Sequence, residues 1–294
     1  MTQRISVIVT GGSSGMGLAT AKLYAARGCD VAIIGRSAGK LAAATSELRA
    51  IATAPGQRIE SRAADLSNFE AARGAIDSLV ESGFGPDILV NSAGVIVPGE
   101  FATMPLANFE SNIDNGYWSV VYPCRAAVPH MLARGRGSIV NVSSVAGYLG
   151  IYGYTGYSSA KFAVMGFTEA LRFEMKPHGI SVHVVCPPDT DTPALAFEHT
   201  LRPAETDVIA GNIKPISPEK VAEAIVRGVA RGKYLIIPDA LSSFYFRLKG
   251  LLPEVFFAIV DGDVKKARSS AGLLPEVAVA IAEGDGSETG ISKR

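Results

Sequence analysis

Residues 5–28 leave few choices of fold. Ile5-Ser-Val-Ile-Val9 is a short, mostly β-branched run that reads as a buried strand. It leads directly into Thr10-Gly-Gly-Ser-Ser-Gly-Met-Gly17, and then into a helical pattern of Leu18, Ala21, Leu23 and Ala25 that ends near Gly28. Strand, glycine-rich turn and helix, in that order, is the context that gives closely spaced glycines meaning. Without Cβ atoms the backbone can approach a pyrophosphate, and the helix N-terminus offers it free N–H groups and the positive end of a dipole. Taken alone, the motif also fits an ordinary βα turn of small residues. Gly11-Gly-Ser-Ser-Gly15 matches the serine-hydrolase elbow as well, but no Asp and His follow in an order that would complete a triad.

The strand–helix alternation then repeats. Cys29–Ile34 is a second strand, followed by an Ala-rich helix from Lys40 to Ala54 that Pro55-Gly56 breaks. Arg58–Ala64 is a third strand; Ser67 is placed to cap the helix after it, which runs to about Ser82. Ile88–Asn91 is the fourth strand, and a long helical region spans Leu106 to Arg134 with Pro123 expected at a kink. Gly137–Ser144 is the fifth strand, and Tyr157 opens a helix reaching Lys176. His183–Cys186 completes the sixth strand, stopped by Pro187-Pro188. Residues 189–216 read as a long irregular lid rich in Pro and Thr. Ser217 caps a helix to about Arg231, and Tyr234–Ile237 is the seventh strand. The alternation predicts an α/β fold: a Rossmann-type, doubly wound, parallel seven-stranded sheet with helices on both faces. One domain over residues 1–240 is expected, then an aromatic-rich helical extension over 241–283 and a polar, disordered tail over 284–294.

The chemistry collects at the carboxyl ends of these strands, where open α/β sheets bind ligands. The second strand ends in Gly35-Arg36-Ser37, with Lys40 one turn on. A carboxylate there would accept from the ribose hydroxyls of NAD; two cations and a hydroxyl suit a 2′-phosphate, hence NADP. A solvated, charged helix start is the plainer alternative. Ser92-Ala-Gly94 leaves room for a flat cofactor after the fourth strand, and Ser143-Ser144 puts two hydroxyls after the fifth. On the next helix Tyr157 and Lys161 stand one turn apart on one face, a phenol and an ammonium that can handle a proton together. The positive charge is expected to lower the tyrosine pKa. Tyr245 and Lys249 repeat the spacing without the strand–loop context and are set aside.

Charge and cysteine content exclude several classes. Basic and acidic residues balance at 28 each, so neither a nucleic-acid binder nor a polybasic membrane tail is indicated. The three cysteines, Cys29, Cys124 and Cys186, have no metal or redox spacing and suit a reducing compartment. The four histidines form no metal-ligand pattern, so no metal is expected. The N-terminus reads as neither signal nor transit peptide, and the expected location is the cytoplasm.

Together these residues resemble the short-chain dehydrogenase/reductase family over about residues 5–240. Thr10-Gly-x-x-x-Gly-x-Gly17, Asp65, Asn91-x-Ala-Gly94, Ser144 and Tyr157-x-x-x-Lys161 occur in that family's order. The resemblance implies that Tyr157 protonates a carbonyl oxygen during reduction. It implies that Ser144 hydrogen-bonds the same oxygen, and that Lys161 binds the nicotinamide ribose. It also implies that Gly11, Ser13, Ser14, Gly15 and Gly17 hold the pyrophosphate. Asp65 and Leu66 would border the adenine, Asn91, Ala93 and Gly94 would line the adenosine side, and Pro187 would join the cofactor-binding set. The family's fourth catalytic residue, an asparagine, should fall near position 116, but the chain reads Ile113-Asp-Asn115-Gly116-Tyr117. Either Asn115 takes the role through a local helix irregularity or the role is lost.

Pro187-Pro-Asp-Thr-Asp-Thr-Pro193, with Arg202-Pro-Ala-Glu-Thr206 downstream, is similar to the family's 3-ketodihydrosphingosine reductase branch. So are Val121–Ala126 and Gly150–Tyr157. That similarity implies NADPH-dependent reduction of the 3-keto group of a long-chain sphingoid base. A 3-oxoacyl thioester, a steroid-like ketone, or a non-catalytic NADP-binding role are the alternatives. Homodimers or homotetramers are usual in the family. Leu241–Val260 holds Phe244, Tyr245, Phe246, Phe256 and Phe257, broken by Pro253. It reads as a hairpin of amphipathic helices that touches a membrane, or else as packing against the domain. Ala271–Ala282 reads as a further short helix.

Overall fold

A computed structural model describes residues 4–203, 205–206 and 214–270. Seven strands form one parallel sheet in the order β3-β2-β1-β4-β5-β6-β7. They are β1 (Ser6–Thr10), β2 (Asp30–Gly35), β3 (Ile59–Ala63), β4 (Ile88–Asn91), β5 (Gly137–Val142), β6 (Ile180–Val185) and β7 (Leu235–Ile236). The strands near the centre are buried on both faces and read as unbroken apolar runs, as a doubly covered parallel sheet requires. Side chains alternate across the sheet plane. Val7, Val9, Val31 and Ile33 pack under α1 (Gly15–Ala25), α2 (Ala38–Ala50) and α8 (Pro218–Ala230). Ile8, Ala32, Ile34 and Leu89 pack on the other side under α3 (Phe69–Glu81), α5 (Ser119–Arg134) and α6 (Thr155–Met175). The strand order reverses between β1 and β4, whose carboxyl ends, Thr10 and Asn91, lie side by side. A crevice opens at that switch point.

Several local expectations change. Asn68 rather than Ser67 caps α3, its side chain accepting from Ala71 N at 3.0 Å, while Ser67 is held by Asp65. The long helix is not broken at Pro123, which lies inside α5. Its irregularity is a π turn over Asp114–Trp118, between α4 (Leu106–Ile113) and α5. The stretch after β6 is not wholly irregular. Thr192 caps a short helix, α7 (Pro193–His199), by accepting from Leu195 N at 3.2 Å, and Pro193 fits the first turn, where its missing N–H costs nothing.

The extension forms two helices, α9 (Ala240–Leu251) and α10 (Pro253–Ser270). Part of its aromatic content is ordinary packing. Phe256 is buried beside Tyr148, Leu149 and Val184, and the Tyr148 hydroxyl donates to Ser242 O at 2.9 Å. Tyr245 and Phe246 pack against the same cluster, whereas Phe244, Leu251, Leu252, Val255 and Phe257 are exposed, Leu251 at 78%. No helix among the described residues is long and apolar enough to cross a membrane. The expected helix over 271–282 and the tail over 284–294 lie outside the described residues.

Candidate active site

A cleft of about 370 Å³ lies over the carboxyl ends of β1, β2 and β4. Its floor is the glycine turn. Gly11 adopts φ +64°, and a Cβ there would meet Ser92 O at 2.6 Å; a Cβ on Gly17 would meet Gly11 O at 2.4 Å. Only glycine permits that turn to close so tightly. Ser14 stands at the start of α1 in extended conformation and makes no side-chain cap, so the helix's first N–H groups remain available to a ligand. Gly11, Ser13, Ser14, Gly15 and Gly17 all line the cleft.

One end of the cleft is formed by Arg36, Ser37, Lys40, Asp65 and Leu66. Arg36 and Lys40 are exposed and face the opening. Ser37 caps α2, accepting from Lys40 N at 3.4 Å, which leaves its own O–H free to donate. Asp65 is held below the usual carboxylate range, first by the Ser67 side chain, then by the Ser67 N–H, with a smaller contribution from Arg36. One carboxylate oxygen is thus tied to its own loop, and the two cations outnumber this single acid at this end. Glycine cradle, uncapped helix and paired cations fit a phosphorylated dinucleotide: the turn would hold its pyrophosphate and the Arg36–Lys40 end a 2′-phosphate.

Ala93 and Gly94 line the cleft, but Asn91 does not. Asn91 is fully buried, donating to Asn141 Oδ1 at 2.9 Å and to Cys124 Sγ at 3.1 Å. It ties β4 to β5 and α5 and lies behind the cleft wall. Pro187 likewise stays out of the cleft wall, its carbonyl accepting from Val145 N at 3.0 Å. Sequence reasoning missed Ser119, Thr192, Ala194 and Phe197, which close the cleft from the π turn and from α7. The capping pattern Thr192-Pro193 was the available signal for the second wall.

Beyond the cleft, Ser144, Tyr157 and Lys161 come together. Of the two hydroxyls after β5, Ser143 is turned inward and donates to Lys161 O at 2.9 Å, while Ser144, accepting from Ala146 N at 3.1 Å, stands close enough to the Tyr157 phenol to favour its ionised form. Lys161 is 4% exposed and donates from Nζ to Val142 O at 3.1 Å. Burial brings its pKa down to about 8. The expected lowering of the tyrosine by Lys161 is not what the geometry produces. Nζ lies over the Tyr157 ring, 5.6 Å from its centroid, rather than at its oxygen. Burial instead pushes the phenol's pKa up; the Ser144 hydroxyl opposes this, and the carboxylates of Glu198 and Asp189 add to it. The chain by itself keeps this phenol protonated.

The π turn settles where Asn115 stands. In an α-helix Ser119 N would bond Asn115 O; here it bonds Asp114 O. Asn115 O is released to accept from Ser119 Oγ at 2.6 Å. It lies 3.6 Å from the point a Cβ on Gly94 would occupy, and Lys161 Nζ lies 3.7 Å from the same point. The Asn115 amide side chain turns back onto Ser111 O at 2.9 Å, so the group it presents beside Gly94 is the backbone carbonyl. An asparagine at position 116 would force α6 to shift, because a Cβ there would sit 2.8 Å from Ala160 Cβ.

Behind Tyr157 a buried polar network joins α6 to the segment after β6. The rings of Tyr154 and Tyr157 are 6.1 Å apart. Tyr154 donates to Glu198 Oε1, and Arg202 bonds both Glu198 and, at 2.8 Å, Asp189 Oδ2. Among the described residues no group of His, Cys, Asp and Glu is placed to hold a metal ion.

Residues 6–201 match a family model described as short chain dehydrogenase. The chain is 38% identical over 229 residues to the 3-ketodihydrosphingosine reductase of Bos taurus, covering 78% of this chain and 69% of that protein. It is 34% identical over 269 residues to the protein of the same name from Dictyostelium discoideum, covering 87% and 80%. Among solved structures, a short-chain dehydrogenase from Sphingobium yanoikuyae in complex with NADPH shares the fold. It superposes with a TM-score of 0.70 at 24% identity, over 97% of this chain and 98% of that one.

Proposed function

Because the chain belongs to the short-chain dehydrogenase/reductase family, a family of nicotinamide-dependent oxidoreductases, we propose that it uses NADPH to reduce the 3-keto group of a long-chain sphingoid base. The observation that carries this reading is the convergence of Ser144, Tyr157 and Lys161 beside a cleft whose far end presents Arg36 and Lys40. The relatives at 34% and 38% identity, both named 3-ketodihydrosphingosine reductase, support the substrate class.

Bound NADPH supplies the hydride that reduces the carbonyl carbon. The chain's own residues handle the oxygen. The Ser144 hydroxyl, beside the phenol, donates to the carbonyl oxygen and stabilises the negative charge that builds there. Tyr157 gives that oxygen its proton. A phenol held protonated by burial and by nearby carboxylates suits this direction, in which an acid is consumed. Lys161 Nζ and the Asn115 carbonyl both border the space beside Gly94, a donor and an acceptor that a bound ribose would meet. The Arg36–Lys40 end is the basis for NADPH over NADH, since two cations against one carboxylate, Asp65, favour a 2′-phosphate.

The exposed face of α9 and α10, with Phe244, Leu251, Leu252 and Phe257, is proposed to rest on a membrane surface. The unpaired Cys29, Cys124 and Cys186 suit a cytoplasmic setting. Exposed Phe162 and Phe173 on α6 are proposed to face a second copy in a homodimer or homotetramer.

The test is NADPH oxidation followed with 3-ketosphinganine, with an acetoacetyl thioester and with no ketone. Turnover of the first is expected; turnover of the thioester alone would overturn the substrate assignment.

A further inference from the structure

A sphingoid 3-ketone differs from a simple long-chain ketone by a primary amine on the carbon next to the carbonyl. At neutral pH that amine carries a positive charge, a few ångströms from the oxygen that Tyr157 must protonate. A site that selects this ketone gains by placing a fixed carboxylate beside the reacting carbonyl.

Four carboxylates lie near enough to consider. Glu198 is sealed in, its side chain 9% exposed and its Oε1 shared by Tyr154 and Arg202. Glu100 is engaged by the Tyr152 hydroxyl at 3.0 Å. Asp191 is exposed, and its charge is not among those acting on the Tyr157 phenol. Asp189 differs from all three. Its side chain is 41% exposed, while the Arg202 side chain that holds it is 3% exposed. Only Oδ2 is bonded to Arg202; Oδ1 has no protein partner among the described residues.

The backbone fixes where this oxygen points from. Pro187, two residues earlier, accepts from Val145 N, the neighbour of Ser144. Ile216 N donates to Asp189 O at 3.0 Å, and Thr190 pairs with Ile216, so the segment is clamped on its far side. Through Arg202 the carboxylate is braced against Tyr154, whose ring adjoins Tyr157. The negative charge of Asp189 already acts on the Tyr157 phenol.

We propose that Asp189 is the specificity residue for the amine: its carboxylate, held from behind by Arg202, receives the ammonium group of a 2-amino-3-ketone and so sets the ketone against Ser144 and Tyr157. This rests on the sphingoid reading above and adds to it the contact that separates an amino ketone from a neutral one. Arg202 orients the carboxylate before substrate arrives, so little freedom is lost on binding.

The experiment compares two ketones and two proteins. The ketones are 3-ketosphinganine and its desamino counterpart, 1-hydroxyoctadecan-3-one; the proteins are the full chain and Asp189→Asn, which keeps an acceptor for Arg202 but removes the charge. The KM for the amino ketone is expected to rise about tenfold or more relative to that for the desamino ketone, the scale of a lost charge-assisted hydrogen bond. Equal changes in the two KM values would overturn the proposal, because a general disturbance of the lid would weaken both. A second measurement needs no variant. In the unaltered protein, sphinganine should inhibit more strongly than octadecane-1,3-diol, and equal inhibition would also overturn the proposal. Failure of the unaltered protein to turn over 3-ketosphinganine would instead remove the sphingoid reading itself, and this inference with it.

Discussion

Lys161 is the group whose replacement should separate stability from function most sharply. Its ammonium is 4% exposed and its pKa is brought from 10.5 down to about 8 by burial. A folded-state pKa below the unfolded one means that the unfolded chain binds the proton more tightly between those two values. The lysine therefore destabilises the fold below pH 8, and the penalty fades as pH rises towards 10.5. A shift from 10.5 to 8 corresponds to about 3 kcal/mol at neutral pH. The hydrogen bond from Nζ to Val142 O returns about 1 kcal/mol. Lys161→Met should thus stabilise the nucleotide-free protein by about 2 kcal/mol at pH 7, or about 4–8 °C in Tm, while abolishing turnover. The assay is urea unfolding of both proteins at a series of pH values from 7 to about 10, over which the penalty falls to roughly 1 kcal/mol and the gain should vanish. A variant no more stable than the parent at pH 7, or a gain that does not shrink with rising pH, would refute the assignment of Lys161 as a buried, strained cation.

Three further outcomes follow from the site. Tyr157→Phe should lower turnover by about 10²–10⁴-fold while NADPH binding, followed by nucleotide fluorescence, stays within a few-fold, because the phenol donates a proton and holds little of the nucleotide. Arg36→Asp should move the kcat/KM ratio of NADPH to NADH at least about tenfold towards NADH, since it puts a carboxylate where a 2′-phosphate would lie; an unchanged ratio would mean the β2 end does not read that phosphate. Gly116→Asn, which places an asparagine where the family pattern puts one, should reduce activity, because its Cβ would press on Ala160 at 2.8 Å. It should cost about 1–3 kcal/mol in thermal unfolding, and a gain in turnover would contradict the role given to the Asn115 carbonyl.

The doubly wound sheet was legible along the chain because its signals are local. Buried parallel strands must be continuous apolar runs, and the Thr10–Gly17 turn must lack side chains where its own backbone passes at 2.4 Å. The spacing of Tyr157 and Lys161, and the cations after β2, were local in the same sense. What could not be read were directions. Asn91 and Ser143 sit in strand-end motifs beside the cleft, yet both turn inward to bond α5, β5 and α6, a choice made by partners 18 to 50 residues away. The sign of the tyrosine shift was likewise undecided by spacing: a lysine four residues on can meet the phenol's oxygen or its ring face, and burial then outweighs it. The π turn that frees the Asn115 carbonyl lies where Gly116 passes close to Ala160 of α6, a neighbour 44 residues on. Periodicity thus determined the architecture and the chemistry available. Packing between elements far apart in the chain decided which atoms face the substrate, because desolvation and hydrogen-bond direction are properties of neighbours in space.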